Sequence, residues 1–568
     1  MTRPYPEPFT TPDPQAVADS RIMDFARHAG VDGTDYATLH HWSVTDLEGF
    51  WGAVWDYFDI DGVSPYEQVL AEERMPGARW FPGATLNYTH HARRNLTDDT
   101  VAIIALAETG SSHEVTGNRL RAQVASVAAT LRDLGVSKGD RVVRYLPNTP
   151  HAIVAFLATA SLGAVWSVCG QDYAPKAAAD RFAQLEPTVL ISADGYLFNG
   201  TTPDRRDATL ELAGELPTLK AALLVDHVGL PWPTHTYPSL VVPWEEASTR
   251  TEELTCAPVP FDHPLWIVFS SGTTGLPKGV VHGHGGVLLE HLKTLGLHSD
   301  LGPGDRASAY PWVRHHVGDH VLLASTSGGT DVVSGFAGSA PSTPVWAGEL
   351  SAPHLGVALA AYDAEGLPIV DQVGELVVTR PMPSMPLYFW NDPDGTRYRD
   401  AYFSSHPGVW RHGDWITLTG HGSVIVHGRS DSTLNRNGVR LGSADIHDVV
   451  ERLPEITEAL VIGAEEPDGG YWMPLFVVLA AGVTLDDPLR EKIKDAIRTG
   501  ASPRHAPDEI LEVPGIPHTR TGKKLEVPVK RLLQGAPVEQ VVNPAAVDAP
   551  DLIDYFARLG AERRGRST

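Results

Sequence analysis

Ten consecutive residues, SSGTTGLPKG (270–279), combine small hydroxyl side chains, three glycines and one lysine. Glycines let backbone N–H groups come close to a polyphosphate, the hydroxyls add donors, and Lys278 adds a mobile positive charge. The run follows the apolar, strand-like LWIVFS (265–270) directly. It differs from the nucleotide loop G-x-x-x-x-G-K-[ST], because Pro277 precedes the lysine and Gly279 follows it. Phosphate binding is therefore the first chemistry to consider. His282, His284, His315, His316 and His320 crowd the next stretch, with no carboxylate or cysteine evidently completing a metal-ligand set. A serine hydrolase would need a G-x-S-x-G elbow, and a dinucleotide oxidoreductase a G-x-G-x-x-G turn after a strand; neither pattern occurs.

The elements around the loop follow an alternating pattern. From about Thr100, VAIIALA (101–107) reads as a strand, and Leu120 to Leu134 has helical apolar spacing with a stop at Gly135. RVVRYLP (141–147), TVLISAD (188–194), AALLVDH (221–227) and LWIVFS continue a strand series with helices between. This predicts an α/β fold with parallel sheets covered on both faces. The long apolar stretch His151 to Gly170 is broken at Gly163, so it reads as helix, turn and strand rather than a membrane span. Residues 1–99 are Trp-rich and Pro-punctuated, as expected of a cap packed on a larger domain. Composition shifts again near 428–431, beyond which helix and strand patterns predict a small α+β unit.

The chain has 568 residues, too many for one core, and a formal charge of −25. Such a charge disfavours non-specific binding to nucleic acid or an anionic membrane, while leaving room for a local basic pocket. Cys169 and Cys256 are the only cysteines, and MTRPYPEPFTTPDPQ has no signal-peptide core. A cytoplasmic, reducing location is expected.

The loop SSGTTGLPKG resembles the phosphate-binding signature of the adenylate-forming superfamily, which includes acyl-CoA synthetases, luciferases and peptide-synthetase adenylation domains. Four further segments resemble superfamily motifs in the same order. These are SGGTD (327–331), HGDW (412–415), GRSDSTLNRNGVRLG (428–442) and TRTGKK (519–524). Within the superfamily, MPGARWFPGATLNY, VHGHGGVLLEHLKTLGLH, PMPSMPLYFWNDPDG and FSSHPGVWRHGDW are similar to the acetoacetyl-CoA synthetase family, from about Tyr36 to about Pro544.

The resemblance implies a large N-terminal domain with doubly wound, mostly parallel sheets and a small C-terminal α+β domain. The expected division is a cap at 1–99, an AMP-binding domain at 100–430, a mobile C-terminal domain at 431–545 and a tail at 546–568. It implies an AMP-forming acid–CoA ligase with ATP, Mg2+ and CoA as cofactors, acetoacetate as the favoured acid, and only small-molecule partners. Ser270, Ser271, Gly272, Thr273, Thr274, Gly275 and Lys278 would cradle phosphates, with Gly328, Gly329 and Thr330 beside them. Asp331 would hold Mg2+, an oxygen ligand suited to a hard cation. Asp414 would chelate the ribose hydroxyls, with Arg429 near the ribose and Arg440 on a phosphate. Gly438 would pass the pantetheine arm, Asp431 would act as hinge, and Lys523 would bridge the acid and the α-phosphate. Ser327, Gly328 and Gly329 are expected to leave space for a longer, polar acyl group.

Two departures qualify the match. Lys278 and Thr330 are 52 positions apart, whereas the family holds on the order of 80 to 90 more residues there, enough for several strand–helix units. The absent block falls between Arg306 and Pro311. TRTGKK also carries Lys524 beside the lysine assigned to catalysis. Two alternatives follow: a nucleotide- or partner-binding relic with impaired catalysis, or an adenylating enzyme that uses another acceptor.

Overall fold

Five of the predicted strand segments, joined by helices, enter one eight-stranded sheet. The computed structural model describes residues 7–8, 10–32, 35–232, 240–270, 277–302, 325–430, 434–436, 439–441, 443–465, 471–500, 505–520, 522–542 and 547–566. The sheet comprises β1 (Arg141–Tyr145), β2 (Val165–Cys169), β3 (Val189–Ala193), β4 (Ala221–Val225), β5 (Leu240–Pro243), β6 (Pro264–Ser270) and β7 (Lys278–Gly283). Its order is β5-β4-β3-β1-β2-β6-β7, completed by the short strand Tyr388–Phe389. Neighbours are parallel as far as β6, and the last two pairings are antiparallel.

Every residue of β3 and β4 is buried, as a sheet covered on both faces requires. Adjacent side chains on a strand point to opposite faces. Val142 packs with Val127, Leu131 and Leu157 from the helices Gly117–Asp133 and Pro150–Ser161. Val143 packs with Phe182 and Leu212 from the helices Pro175–Phe182 and Arg206–Gly214 on the other face. Gly163, at φ +68°, makes the turn between Pro150–Ser161 and β2. Among the described residues no helix is long and apolar enough to cross a membrane.

One strand departs from expectation. Val101–Leu106 pairs antiparallel with Ser112–Thr116 in a two-stranded hairpin instead of joining the parallel series. A parallel return needs a crossover of about a dozen residues, but a turn through Gly110 (φ +79°) reverses the chain at once. Leu106 is left 81% exposed.

The N-terminal helices Arg21–Ala29, Tyr36–Thr45 and Leu47–Tyr57 bury an aromatic cluster of Phe25, Phe50, Trp51 and Trp55. Trp55 stacks on Phe81 at 4.7 Å, and the cluster continues into Phe261, Leu288 and Leu297 farther along the chain. Farther along the chain, β8 (Ser327–Gly329) and β9 (Ser334–Gly338) form an antiparallel hairpin. A five-stranded antiparallel sheet follows, in the order Pro368–Ile369, Leu359–Tyr362, Val373–Val378, β10 (Trp410–Leu418) and β11 (Val424–Arg429).

The C-terminal unit builds a three-stranded sheet from Ile456–Val461, Pro474–Leu479 and Glu509–Glu512, with the helices Ser443–Val450 and Asp487–Gly500 against it. Residues 546–568, read from the sequence as a tail, carry the helix Pro550–Arg566. Its Ile553 and Phe556 lie in the apolar core with Leu460, Phe476 and Val529. Three positions apart on one helix face, the two residues make the segment part of the unit's core.

Candidate functional site

The SSGTTGLPKG segment runs between two paired strands: Ser270, the last residue of β6, lies opposite Lys278, the first of β7. Ser271, Gly272, Thr273, Thr274 and Gly275 lie outside the described residues. The Lys278 ammonium stands 5.8 Å from the centre of the Phe389 ring. A Cβ on Gly279 would meet Trp390 Cβ at 3.0 Å, so the glycine permits the close approach of that chain.

Thr330 and Asp331 occupy the turn between β8 and β9. The Tyr402 hydroxyl donates to Asp331 Oδ1. Burial first, and then the charge of Asp331, push the Tyr402 hydroxyl far above its ordinary pKa, so it stays a donor. At the far end of the turn, Ser334 Oγ donates to Glu290 Oε2 at 2.7 Å, and Glu290 pairs with Lys293 at 2.7 Å with both side chains buried. His282 is fully buried; its Nδ1 lies 3.0 Å from the Ser384 carbonyl oxygen, and burial pushes the ring down to about 4. His284 accepts from the Tyr88 amide at 3.1 Å and is pushed down to about 3 by burial. Both rings are therefore neutral parts of the core.

Gly328 and Gly329 answer to protein packing. A Cβ on Gly328 would sit 2.1 Å from the Ser334 carbonyl oxygen, and one on Gly329 would sit 2.7 Å from His412 Cε1. The space their missing side chains provide is taken by the β9 backbone and by the His412 ring.

Strand β10 brings His412 and Asp414 to the same place, and register pairs Asp414 with Arg429 on β11. Arg429 Nη1 lies 3.8 Å from Asp414 Oδ1, and His412 Nε2 lies 3.5 Å from Oδ2. Neither is a tight hydrogen bond, so the carboxylate keeps acceptor capacity for two hydroxyl donors. His412 is held below its ordinary pKa by burial. Asp414 and Asp331 raise it, while Arg429 and Lys523 lower it. His412 thus lies beside the Asp414 carboxylate and against Gly329.

Behind this group, Ser430 donates its amide to the Gly413 carbonyl at 2.8 Å and its hydroxyl to Glu375 Oε1 at 2.9 Å. Arg411 pairs with Glu375 at 3.2 Å. These bonds fix the chain up to the residue before Asp431, which lies outside the described residues together with Gly438. Arg440 pairs with Asn435 in a short hairpin, described there by its backbone.

Lys523 stands on a tight turn. The Thr519 amide donates to the Lys523 carbonyl at 2.8 Å, the Lys523 amide donates to Thr519 Oγ1 at 3.1 Å, and Gly522 takes φ +81°. The Lys523 side chain is exposed. Tyr402, His412 and the Glu290–Lys293 pair were not singled out as site residues in the sequence. His412 lay inside a quoted motif, but nothing local marks Tyr402, 71 positions from Asp331.

Three family patterns match: acetyl-coenzyme A synthetase N-terminus over residues 36–92, AMP-binding enzyme over 89–352, and AMP-binding enzyme C-terminal domain over 445–523. The acetoacetyl-coenzyme A synthetase of Rhizobium meliloti is 36% identical, over 97% of this chain and 98% of that one. The acetoacetyl-CoA synthetase of Rattus norvegicus is 34% identical over 92% and 93%. The solved acetoacetyl-CoA synthetase from Streptomyces lividans superposes with a TM-score of 0.92 at 47% identity, covering 98% of this chain and 100% of that one. The Rhizobium alignment runs over 651 positions, more than this chain has residues, so that relative holds segments with no counterpart here.

Proposed function

Because the chain belongs to the acetoacetyl-CoA synthetase family of adenylate-forming enzymes, we propose that it is an AMP-forming ligase joining acetoacetate to CoA. The carrying observation is that Asp414 stands between Arg429 Nη1, 3.8 Å from Oδ1, and His412 Nε2, 3.5 Å from Oδ2, with Gly329 packed against the His412 ring. In the first step an acetoacetate carboxylate oxygen attacks the α-phosphorus of ATP, and pyrophosphate leaves. In the second the CoA thiolate attacks the acyl carbon, the C–S bond forms, and AMP departs with the oxygen of the broken C–O bond.

Two anions must meet in the first step, so charge neutralisation and positioning dominate. Ser270, Ser271, Gly272, Thr273, Thr274, Gly275 and Lys278 hold the β- and γ-phosphates, with Gly328, Gly329 and Arg440 completing the nucleotide site. Thr330 bonds the α-phosphate, Asp414 and Arg429 hold the ribose, and Gly438 lines the path of the pantetheine arm. Asp331 fits magnesium: it is a hard oxygen donor, and with the Tyr402 hydroxyl donating to Oδ1 the oxygen it would offer is Oδ2. One carboxylate oxygen suits an ion that keeps most of its ligands as water and phosphate oxygen. Bound magnesium neutralises polyphosphate charge.

Lys523 sits on the C-terminal domain, so closure of residues 431–545 over the large domain, about Asp431, delivers it to the reacting carboxylate. The division into a cap at 1–99 and a large domain at 100–430, and a cytoplasmic location, belong to the same reading. ATP–pyrophosphate exchange dependent on acetoacetate tests the adenylation step, and its absence from folded protein overturns the ligase. The 52-position interval between Lys278 and Thr330 favours a second reading, a nucleotide-binding relic. In that case the protein binds ATP yet gives no exchange with any short acid.

A further inference from the structure

The helix Thr396–Tyr402 delivers one aromatic hydroxyl to the magnesium-facing carboxylate, and its surroundings hold that hydroxyl in place. Asp392 accepts from the Arg397 amide at 3.1 Å and from the Tyr398 amide at 2.9 Å, fixing the start of the helix. At its end the Tyr402 ring stacks on Trp410 at 3.6 Å with an interplanar angle of 14°. Tyr398 and Phe389 pack edge-on against the same ring at 5.6 and 5.8 Å. Trp410 is fully buried and begins the strand that carries Asp414. The hydroxyl is thus located by the packing that also places the ribose-binding strand.

We infer that Tyr402 is a positioning residue that holds Asp331 Oδ1, so that only Oδ2 is offered to the divalent ion and calcium is disfavoured against magnesium. The coordination chemistry of the two ions supplies the reason. Calcium accepts bidentate carboxylates and six to eight oxygens in loose geometry, whereas magnesium demands a small, near-octahedral shell with single carboxylate oxygens. A carboxylate with one oxygen already accepting from a fixed donor is a weaker bidentate ligand, because that oxygen is oriented toward the donor and has less lone-pair density to share. The turn itself supports the same orientation: the Val332 amide donates to the Gly329 carbonyl at 3.2 Å, and Ser334 is tied to Glu290.

This inference rests on the reading of Asp331 as the magnesium-binding residue. Its test is ATP binding to the full-length protein by calorimetry, with Mg2+, Ca2+ or a chelator, in the absence of acetoacetate and CoA. Wild-type protein is expected to bind ATP more tightly with Mg2+ than with Ca2+. In Tyr402→Phe that preference should fall about tenfold, the scale of losing one hydrogen bond to a charged group. Tyr398→Phe deletes a neighbouring hydroxyl and should leave the preference unchanged. Trp410→Phe loosens the stack and should lose part of the preference, which keeps the test open if Tyr402→Phe does not fold. Wild-type preference retained in folded Tyr402→Phe, or in Trp410→Phe where the first variant does not fold, overturns the inference alone. Wild-type binding indifferent to either ion overturns the reading of Asp331 and the inference with it.

Discussion

The Lys524 ammonium donates to Glu451 Oε1 at 2.5 Å and to the Ala459 carbonyl at 2.9 Å, anchoring the turn that presents its neighbour Lys523. Glu451 Oε1 also accepts from the Ala459 amide at 2.9 Å. Burial pushes the Glu451 carboxyl up, but these bonds outweigh it and hold the group below its usual range. Two lysines adjacent in TRTGKK thus have separate duties. One is an anchor, and the other is exposed, as the proposed catalytic role requires.

The two substitutions are expected to differ in kind. Lys523→Ala should abolish acetoacetate-dependent ATP–pyrophosphate exchange while leaving the melting temperature within about a degree, as is usual for an exposed side chain. Lys524→Ala should lower the melting temperature by about 2–4 °C and retain measurable exchange. Calorimetric melting beside an exchange assay separates them; equal loss of exchange in both would refute the division.

Glu290 and Lys293 form an ion pair with both side chains fully buried, behind Ser334. Removing one partner leaves an uncompensated charge, so Glu290→Gln should destabilise by about 3–5 kcal/mol, whereas the double change of Glu290 and Lys293 to Met should be nearly neutral. Chemical denaturation checks both. A single variant as stable as wild type would contradict the account.

Gly328→Ala drives a Cβ into the Ser334 carbonyl, which is backbone and cannot rotate away. Gly329→Ala meets instead the movable His412 ring. The first should cost about 1–3 kcal/mol of stability. The second should displace His412 from Asp414 and raise the KM for ATP several-fold with less effect on melting. Steady-state kinetics and melting curves distinguish the two outcomes.

Acid should destabilise this fold through its buried histidines. His40 and His282 are pushed down to about 4, and His284 and His298 to about 3, in each case by burial first. Between about pH 6.5 and 4 the unfolded chain protonates these rings and the folded chain does not, so stability falls as pH drops through that window. His298 has both nitrogens committed, Nδ1 at 3.2 Å from the Ser339 carbonyl oxygen and Nε2 accepting from the Leu355 amide at 3.1 Å. His298→Asn should lower the melting temperature at pH 7 and flatten its fall toward pH 4.5. A melting temperature independent of pH across that window would contradict the assignment.

Strand-forming runs such as TVLISAD and AALLVDH were legible because both faces of their strands are buried, leaving an unbroken apolar signature. VAIIALA carries a similar signature but closes a hairpin, because a tight turn at Gly110 overrides propensity. The final helix is weakly marked in the sequence: polar residues dominate Pro550–Arg566, and Ile553 and Phe556 are its two fully buried core residues, with Tyr555, Ala557 and Leu559 half-buried beside them. Within the site, motif order pointed to Asp331, Asp414 and Lys523. Tyr402, which donates to Asp331 from 71 positions away, depends on a tertiary contact that no local spacing encodes.

The most direct test of the central claim is AMP release from ATP by the purified protein with magnesium, acetoacetate and CoA, run beside Lys523→Ala. The account predicts release that requires both acetoacetate and CoA and disappears in the variant. Folded protein that binds ATP but releases no AMP with acetoacetate and CoA would contradict it.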